Sequence, residues 1–245
     1  MQPLITDDAD TQGSGSHQVE VSYSQDRTRW AGKTERVDSV PLAYTYGLTD
    51  TLDIFAMTDY SRIRVPGERT SGFCNTVIGL KWRFFENETS GTHLAIKPEV
   101  RLPVDSRREE KGLGTGKTSG VLTLILSQKL PFGAVHFNAG MGRDRFRYRH
   151  SIDNARNRHF SVAPVWEVSS QWTLAADIGV DLSRSNGDTV RSRFSEIAAI
   201  YSPGKNLDLA VGYIRKVGSE YSKTTTHNII AGVTWRFPQR KISLD

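Results

Sequence analysis

Asn228-Ile-Ile-Ala-Gly-Val-Thr-Trp-Arg-Phe237 is the stretch that decides how the rest of the chain is read. Taken every second residue, Ile229, Ala231, Val233, Trp235 and Phe237 form one apolar face that ends in two aromatics. Ile230, Gly232, Thr234 and Arg236 form the opposite face, which is smaller and more polar. A soluble sheet would bury the first face and wet the second. A transmembrane β-barrel inverts that sense: apolar side chains meet lipid, polar ones point into the lumen, and aromatics mark the level where lipid meets water.

The same alternation runs upstream through nearly the whole chain. It gives Val19 to Tyr23, Leu42 to Tyr46, Leu52 to Tyr60, Ile78 to Phe84, Leu94 to Leu102, Leu122 to Leu126, Val135 to Met141, Phe160 to Val168, Trp172 to Leu182, Ile197 to Tyr201 and Leu207 to Tyr213. With the last stretch this makes about twelve strands, an even number as in bacterial single-chain barrels. The connections alternate in length. Those at 47–51, 86–92, 130–133, 169–171 and 202–206 are tight and rich in Gly, Pro, Asn or Ser; those at 26–35, 105–117, 143–158 and 216–226 are longer and charged. The expected fold is therefore all-β, a single closed antiparallel transmembrane barrel with short periplasmic turns and longer extracellular loops.

Composition is compatible with that fold. Mean hydropathy is negative, as it is when half of every strand and all of every loop is polar. The longest apolar run, Val121 to Leu126, falls far below the roughly 18 to 20 residues a membrane helix needs. Met1 to Leu4 shows neither the basic nor the apolar region of a signal peptide, so the expected location, the bacterial outer membrane, requires a leader that these residues do not include. One cysteine, Cys74, allows no internal disulfide. A net charge of +5 suits nucleic acid, lipopolysaccharide phosphate or neither.

Three segments follow. Residues 1–16, acidic and then Gly/Ser-rich, read as a periplasmic arm or plug; 17–237 as the barrel; 238–245 as a periplasmic tail. With the N-terminus in the periplasm, Tyr44, Tyr46, Trp82, Phe84, Trp166, Trp172, Tyr201, Trp235 and Phe237 all fall at one level on the lipid-facing parity, as a periplasmic girdle would. Tyr23, Tyr60 and Tyr213 would begin the outer girdle. The expected partners are accordingly outer-membrane lipid and lipopolysaccharide, a small-molecule solute, and the barrel-assembly machinery, whose signal the terminal aromatic looks like.

The inward parity carries the charge. Lys81, Arg83, Lys97, Glu99 and Arg101 come from two neighbouring strands; Glu167, Asp177, Asp181, Glu196 and Asp208 come from strands roughly opposite in a ring of twelve. A mainly basic wall would face an acidic one across a backbone cylinder about 24 Å wide, leaving on the order of 10 Å between side-chain tips. Either water fills that gap or long side chains close it as a salt-bridged plug. Inward Gly79, Ala95, Ala163, Ala175, Gly179, Ala210 and Gly212 leave room for the first.

Other motifs carry less. Gly112-Leu-Gly-Thr-Gly-Lys-Thr118 resembles a phosphate-binding loop, but Lys111 stands where that pattern needs Gly and a strand, not a helix, follows. His159 and Ser161 share a face, yet Phe160 takes the lipid side and turns the pair inward, away from lipid substrate; no catalytic residue and no enzymatic activity are expected. No two of the six histidines have metal-ligand spacing, so neither a metal site nor a cofactor is expected, and Asp7, Asp8 and Asp10 read as a solvated tail. Arg143-Asp-Arg-Phe-Arg-Tyr-Arg-His150, with Arg156 and Arg158, lies in the longest outer loop and the strand tops beside it, where lipopolysaccharide phosphate is a simpler partner than nucleic acid and a solvated loop is the alternative.

Pro3-Leu-Ile-Thr-Asp-Asp-Ala-Asp-Thr-Gln-Gly13, Gly47-Leu-Thr-Asp-Thr-Leu-Asp53 and Asn206-Leu-Asp-Leu-Ala-Val-Gly-Tyr213 resemble the outer-membrane proteins of the phenol-degradation meta-pathway (MetA-type) family. The resemblance spreads over nearly the whole chain and rests on turn and strand patterns. It implies a barrel associated with aromatic catabolism, with uptake of hydrophobic compounds as a role, and fixes no functional residue. The expected function is a passive channel or transporter for small solutes, aromatic or hydrophobic catabolites among them. A non-conducting scaffold, secretion component or partner sleeve is the alternative, and an outer-membrane hydrolase a remoter one.

Overall fold

The computed structural model describes residues 3–30, 32–147, 154–218 and 224–237. The expected C-terminal tail, 238–245, lies outside them, as do Tyr148, Arg149 and His150 of the basic loop. Among the described residues there are thirteen strands: β1 His17–Trp30, β2 Lys33–Gly47, β3 Leu52–Val65, β4 Glu68–Phe73, β5 Val77–Asn87, β6 Thr92–Arg101, β7 Ser119–Leu130, β8 Gly133–Asp144, β9 Ala155–Glu167, β10 Trp172–Ser185, β11 Asp188–Gly204, β12 Leu207–Gly218 and β13 Thr225–Phe237. One short helix, α1 Ser106–Glu110, sits between β6 and β7.

Twelve of the strands close a barrel in which each pairs antiparallel with its neighbours, and β13 returns to β1. The closing register runs from His17 opposite Phe237 to Arg29 opposite Thr225. The segment 228–237 is thus one side of the seam of the ring. Closure removes the free sheet edges that would otherwise carry unpaired backbone groups, which is what allows strands to cross lipid.

Side-chain burial follows the two-residue period. Ile229, Val233, Trp235 and Phe237 are exposed, and so are Leu42, Ile54, Ile78, Leu122, Phe160, Ile178 and Val211 on the same parity of their strands. An apolar belt this extensive has no counterpart on a soluble monomer, where contiguous apolar patches reach only a few hundred Å². The opposite parity is small, polar or charged.

β4 is the element that alternation does not show. β3 pairs with β2 along most of its length, with β5 only over Leu52–Met57, and with β4 over Tyr60–Val65. Above the belt β3 therefore forks out of the ring into a hairpin, turned at Gly67 with φ +86°. Glu-Arg-Thr-Ser-Gly-Phe has no apolar face to reveal it, because this strand stands clear of the belt. A bulge between Arg83 and Phe85 puts both Phe84 and Phe85 on the outer face.

The loop carrying α1 is folded over the long-loop rim. Asp105 caps the helix by accepting from Arg108 N–H at 2.9 Å. Asn75 donates to the carbonyls of Leu102 and Thr115, while Glu109 accepts from the backbone of Gly116 at 3.0 Å and of Arg147 at 2.7 Å. The glycine-rich stretch 112–118 thus presents its backbone to a carboxylate of its own chain, and β7 follows it as a strand.

Candidate functional site

Pro3 to Ser16 enter the barrel through the short-turn rim and run along the inner wall. Gly15 N–H donates to Gly47 carbonyl at 2.8 Å and Gly47 N–H to Ser16 carbonyl at 2.9 Å, which pins the entry. Gly47 allows this close approach because a Cβ there would overlap the backbone of Gly13. Gln12 N–H then reaches the Asp53 carboxylate at 3.1 Å, and Asp10 Oδ1 accepts from His93 Nδ1 at 2.9 Å.

Deeper in the lumen the arm meets the charges that sequence periodicity placed there. Lys97 Nζ is 2.8 Å from Asp7 Oδ2, and Lys81 Nζ is 3.7 Å from Asp7 Oδ1 and 3.4 Å from Asp8 Oδ1. Asn138 clamps Asp7, accepting from its N–H and donating to its carbonyl at 2.8 Å each. Thr6 N–H donates to Asp177 Oδ2 at 2.7 Å; its Oγ1 lies 2.7 Å from Asp177 Oδ1 and 2.6 Å from Ser161 Oγ, so its one hydrogen serves one of them at a time. Ile5 N–H points at Glu196 Oε2, 3.3 Å away. The basic wall receives two carboxylates of the arm, and the acidic wall receives its backbone N–H groups.

Burial alone would raise the Asp7 carboxyl, but Lys81 and Lys97 outweigh it and hold Asp7 well below the usual carboxylate range. Asp8 is also held down: burial raises it, and Lys81 together with further positive charge nearby outweighs that. These acids, expected to be a solvated tail, are instead paired inside the barrel. Burial of Ala9 against Ala95 and Ile125, and of Leu4 against Val165, Ala175 and Ala198, shows what inward alanines do here. They seat the arm rather than leaving water-filled space. At Gly79 and Gly179 the space is taken by the rings of Phe55 and Phe194.

The remaining inward candidates divide between the rims. Arg83 Nη2 pairs with Glu86 Oε2 at 3.1 Å and Glu99 Oε1 lies 3.5 Å from Lys97 Nζ. Arg101 does not face the acidic wall; it bonds Asp144 at 2.6 Å on the long-loop side. Asp208 accepts from Arg236 at 2.6 Å and from Ser202 at 2.6 Å. Glu167 ends β9, exposed at the short-turn rim. Asp181 accepts from His159 Nδ1 at 2.7 Å, and His159 Nε2 lies 3.0 Å from Ser161 Oγ. This Asp-His-Ser chain is covered by Thr6 of the arm and by the Phe194 ring, stacked on the imidazole at 5.8 Å.

A polar cavity of about 550 Å³ remains beside the arm. It is bounded by the arm and by Gln18, Glu20, Thr45, Asp53, Lys81, Lys97 and Arg236. Sequence reasoning missed Gln18, Asp53, His93 and Asn138 as lumen residues, and put Arg236 on the inward face without counting it among the lumen charges. Their inward parity was readable, but single polar residues scattered over as many strands give no charge block to notice.

The aromatic residues at the short-turn rim lie on the outer parity. Trp82, Phe84, Trp166, Trp172, Trp235 and Phe237 are exposed, joined by Phe132, while Tyr44 is exposed and Tyr46 and Tyr201 are half-buried. Several pair across or along strands: Trp235 with Phe237 at 5.3 Å, Trp172 with Tyr201 at 4.9 Å, Phe132 with Trp166 at 6.2 Å between centroids.

The family model described as "Putative MetA-pathway of phenol degradation" matches residues 2–145 and 134–245. The chain belongs to that family. Among solved structures it is similar to an outer membrane channel from Pseudomonas putida F1, with a TM-score of 0.76 and 15% identity over 96% of this chain and 100% of that one. It is also similar to the translocator domain of autotransporter NalP from Neisseria meningitidis (TM-score 0.57, 12% identity, 94% of this chain, 91% of that one). The NanC porin superposes with a TM-score of 0.56 at 9% identity, over 88% of this chain and 98% of that one. No curated protein sequence matches the chain. The fold, a closed twelve-stranded antiparallel barrel, is that of bacterial outer-membrane proteins.

Proposed function

We propose that this protein is an outer-membrane channel for small solutes whose periplasmic arm, residues 1–16, is a plug that must leave the wall before the pore conducts fully. The observation that carries this reading is the division of the lumen: one side holds the arm by ion pairs and buried hydrogen bonds, and the other keeps a polar cavity of about 550 Å³. A cavity of that size falls within the range that holds a small organic ligand. The short-turn rim faces the periplasm in this reading, and its aromatics are the inner girdle. Lys81, Lys97, Asp53, Asp208 and Arg236 line the path.

The family description supports small aromatic catabolites as solutes, and the cavity suits a ring bearing a polar group. Phe55 and Met57 offer apolar contact, and Arg236 and Lys81 offer charge. Lipopolysaccharide phosphate meets the outer loops through Arg143, Arg145, Arg156 and Arg158; Arg147 is committed to holding the α1 loop, donating to Ser106 and Gly116. The terminal aromatic pair is read by the barrel-assembly machinery. The seated arm also favours a second reading, a closed barrel serving as a scaffold or sleeve.

Single-channel recording in a planar bilayer under a salt gradient tests the choice. The full chain should give small or infrequent steps, and a chain lacking residues 1–12 should give larger, steady ones with a defined reversal potential. Insertion of both forms without conductance, checked by a heat-dependent gel shift, would leave the scaffold.

A further inference from the structure

At the short-turn rim, directly beside the arm, the hairpin of β5 and β6 brings Glu86, Glu88 and His93 together. One ligand atom from each lies within 4.8 Å of the others. His93 is 2% exposed, and among the described residues its Nε2 has no hydrogen-bond partner. That nitrogen points at two carboxylate oxygens too far away for a hydrogen bond, Glu86 Oε1 at 3.8 Å and Glu88 Oε1 at 3.9 Å. A buried imidazole nitrogen left without a partner costs free energy, and an ion between these three atoms would remove that cost.

Each carboxylate uses its other oxygen elsewhere. Arg83 Nη2 lies 3.1 Å from Glu86 Oε2, and Lys129 Nζ lies 3.6 Å from Glu88 Oε2. The Oε1 atoms therefore remain turned toward His93. On the far side of the ring, His93 Nδ1 bonds Asp10 Oδ1 at 2.9 Å. A carboxylate there fixes the tautomer that leaves the Nε2 lone pair free, the arrangement in which metal-binding imidazoles are usually held. Three carboxylates against Arg83 and Lys129 leave the cluster with one net negative charge, which also favours a cation. Spacing between histidines does not reveal it, since one His and two Glu are drawn from both sides of a single turn.

We infer that Glu86, Glu88 and His93 form a binding site for a divalent transition-metal ion, Zn²⁺ in character, and that it latches the arm through Asp10. One nitrogen and two carboxylate oxygens suit Zn²⁺, with a water completing a tetrahedron; Ca²⁺ and Mg²⁺ prefer more oxygens and no imidazole. Metal on Nε2 makes Nδ1–H a stronger donor to Asp10, so the ion and the docked arm stabilise each other, and the coupling is reciprocal. Only the latch rests on the plug reading above; the site itself rests on the cluster.

Calorimetry with Zn²⁺ on the refolded, untagged full chain in detergent tests the site. One ion per chain is expected, with Ca²⁺ and Mg²⁺ failing to compete. His93→Ala should abolish binding and Glu88→Gln, in an exposed turn that cannot unfold the barrel, should weaken it by about 10-fold or more, while His227→Asn leaves it unchanged. Absence of Zn²⁺ binding, or binding indifferent to both His93→Ala and Glu88→Gln, overturns the site. Asp10→Asn and removal of residues 3–12 should each weaken Zn²⁺ by about 10-fold, and Zn²⁺ should lower the open fraction of the full chain. If both leave the affinity unchanged, the latch is overturned and the site stands. Because calorimetry does not depend on conductance, a barrel that never conducts would sink the channel reading without touching the metal.

Discussion

The two sides of the lumen are built from the same alternating strands and treat the arm in opposite ways. From β5 round to β11 the wall grips it at Lys81, Lys97, Asn138, Ser161, Asp177 and Glu196. From β13 through β1 to β2 the wall stands off, except at the rim where Gly47 of β2 pins the entry of the arm, leaving the cavity lined by Gln18, Glu20, Thr45 and Arg236. The gripping side pairs small inward residues with charged ones. Ala95 and Ala175 let the arm come close, and the charges beside them bond it. The open side carries medium polar side chains that bond one another, as Arg236 does with Gln18 at 3.1 Å and with Asp208 at 2.6 Å. A lumen can thus be half filled by specific contact and half kept as a passage without any change in the outer, lipid-facing pattern.

Removing the arm should break the comparison outright. Deleting residues 3–12 makes both sides alike, and single-channel conductance should rise several-fold while the heat-dependent gel shift of the barrel persists. Equal conductance with and without the arm would mean that the seated arm does not limit the path.

A single charge change on the gripping side should do part of the same. Asp7→Asn leaves the buried Lys97 without its 2.8 Å partner. Breaking one partner of a buried pair costs about 3 kcal/mol, on the order of 100-fold in the docking equilibrium. The open fraction in a bilayer should rise accordingly, and Lys97→Gln added to Asp7→Asn should restore part of the closure because the buried charge that lost Asp7 is then removed as well. A double variant as open as the single one would show that the pair does not hold the arm.

Acid should act on the same contacts more gently over the usable range. Asp7 and Asp8 sit below their ordinary range when docked, burial notwithstanding, because Lys81 and Lys97 oppose them. A carboxylate whose docked value is depressed contributes its stabilisation fully above the free value and loses it as pH falls through the docked one. The channel should therefore stay closed from neutral pH down to about 4, near the free Asp value, and open progressively below it. Opening that begins near pH 6 would point to a different group.

How much of this was legible in the sequence follows from periodicity and its limits. Trp235 and Phe237 gave the outer parity of the seam, and the ring, its strand number and its aromatic level follow from repeating that pattern. The charged walls were legible for the same reason: Lys81 and Lys97, and Asp177 and Glu196, stand on known parity. The docked arm was not, because Pro3 to Ser16 has no period and its acids resemble any solvated tail until the opposing lysines are placed in space. β4 escaped because a hairpin above the belt needs no apolar face. Arg101 was assigned to the wall by parity alone, and parity does not say that Asp144 lies within reach near the same rim.

The smallest expected effect sharpens the comparison from the open side. Arg236 bonds Gln18 and Asp208 and borders the cavity, and neither of these partners belongs to the arm. Arg236→Gln removes one positive charge from a passage on the order of 10 Å wide, where a fixed charge acts within a screening length of every permeating ion. Reversal potentials under a salt gradient should shift toward cation selectivity by a few millivolts, with the open fraction unchanged because the grip on the arm is intact. The same substitution in the chain lacking residues 3–12 should shift selectivity less, since the pore is then wider and the arm's own carboxylates are gone. A shift in open fraction instead would place Arg236 among the residues that hold the arm, and the division of the lumen into a gripping and a passing side would have to be redrawn at β13.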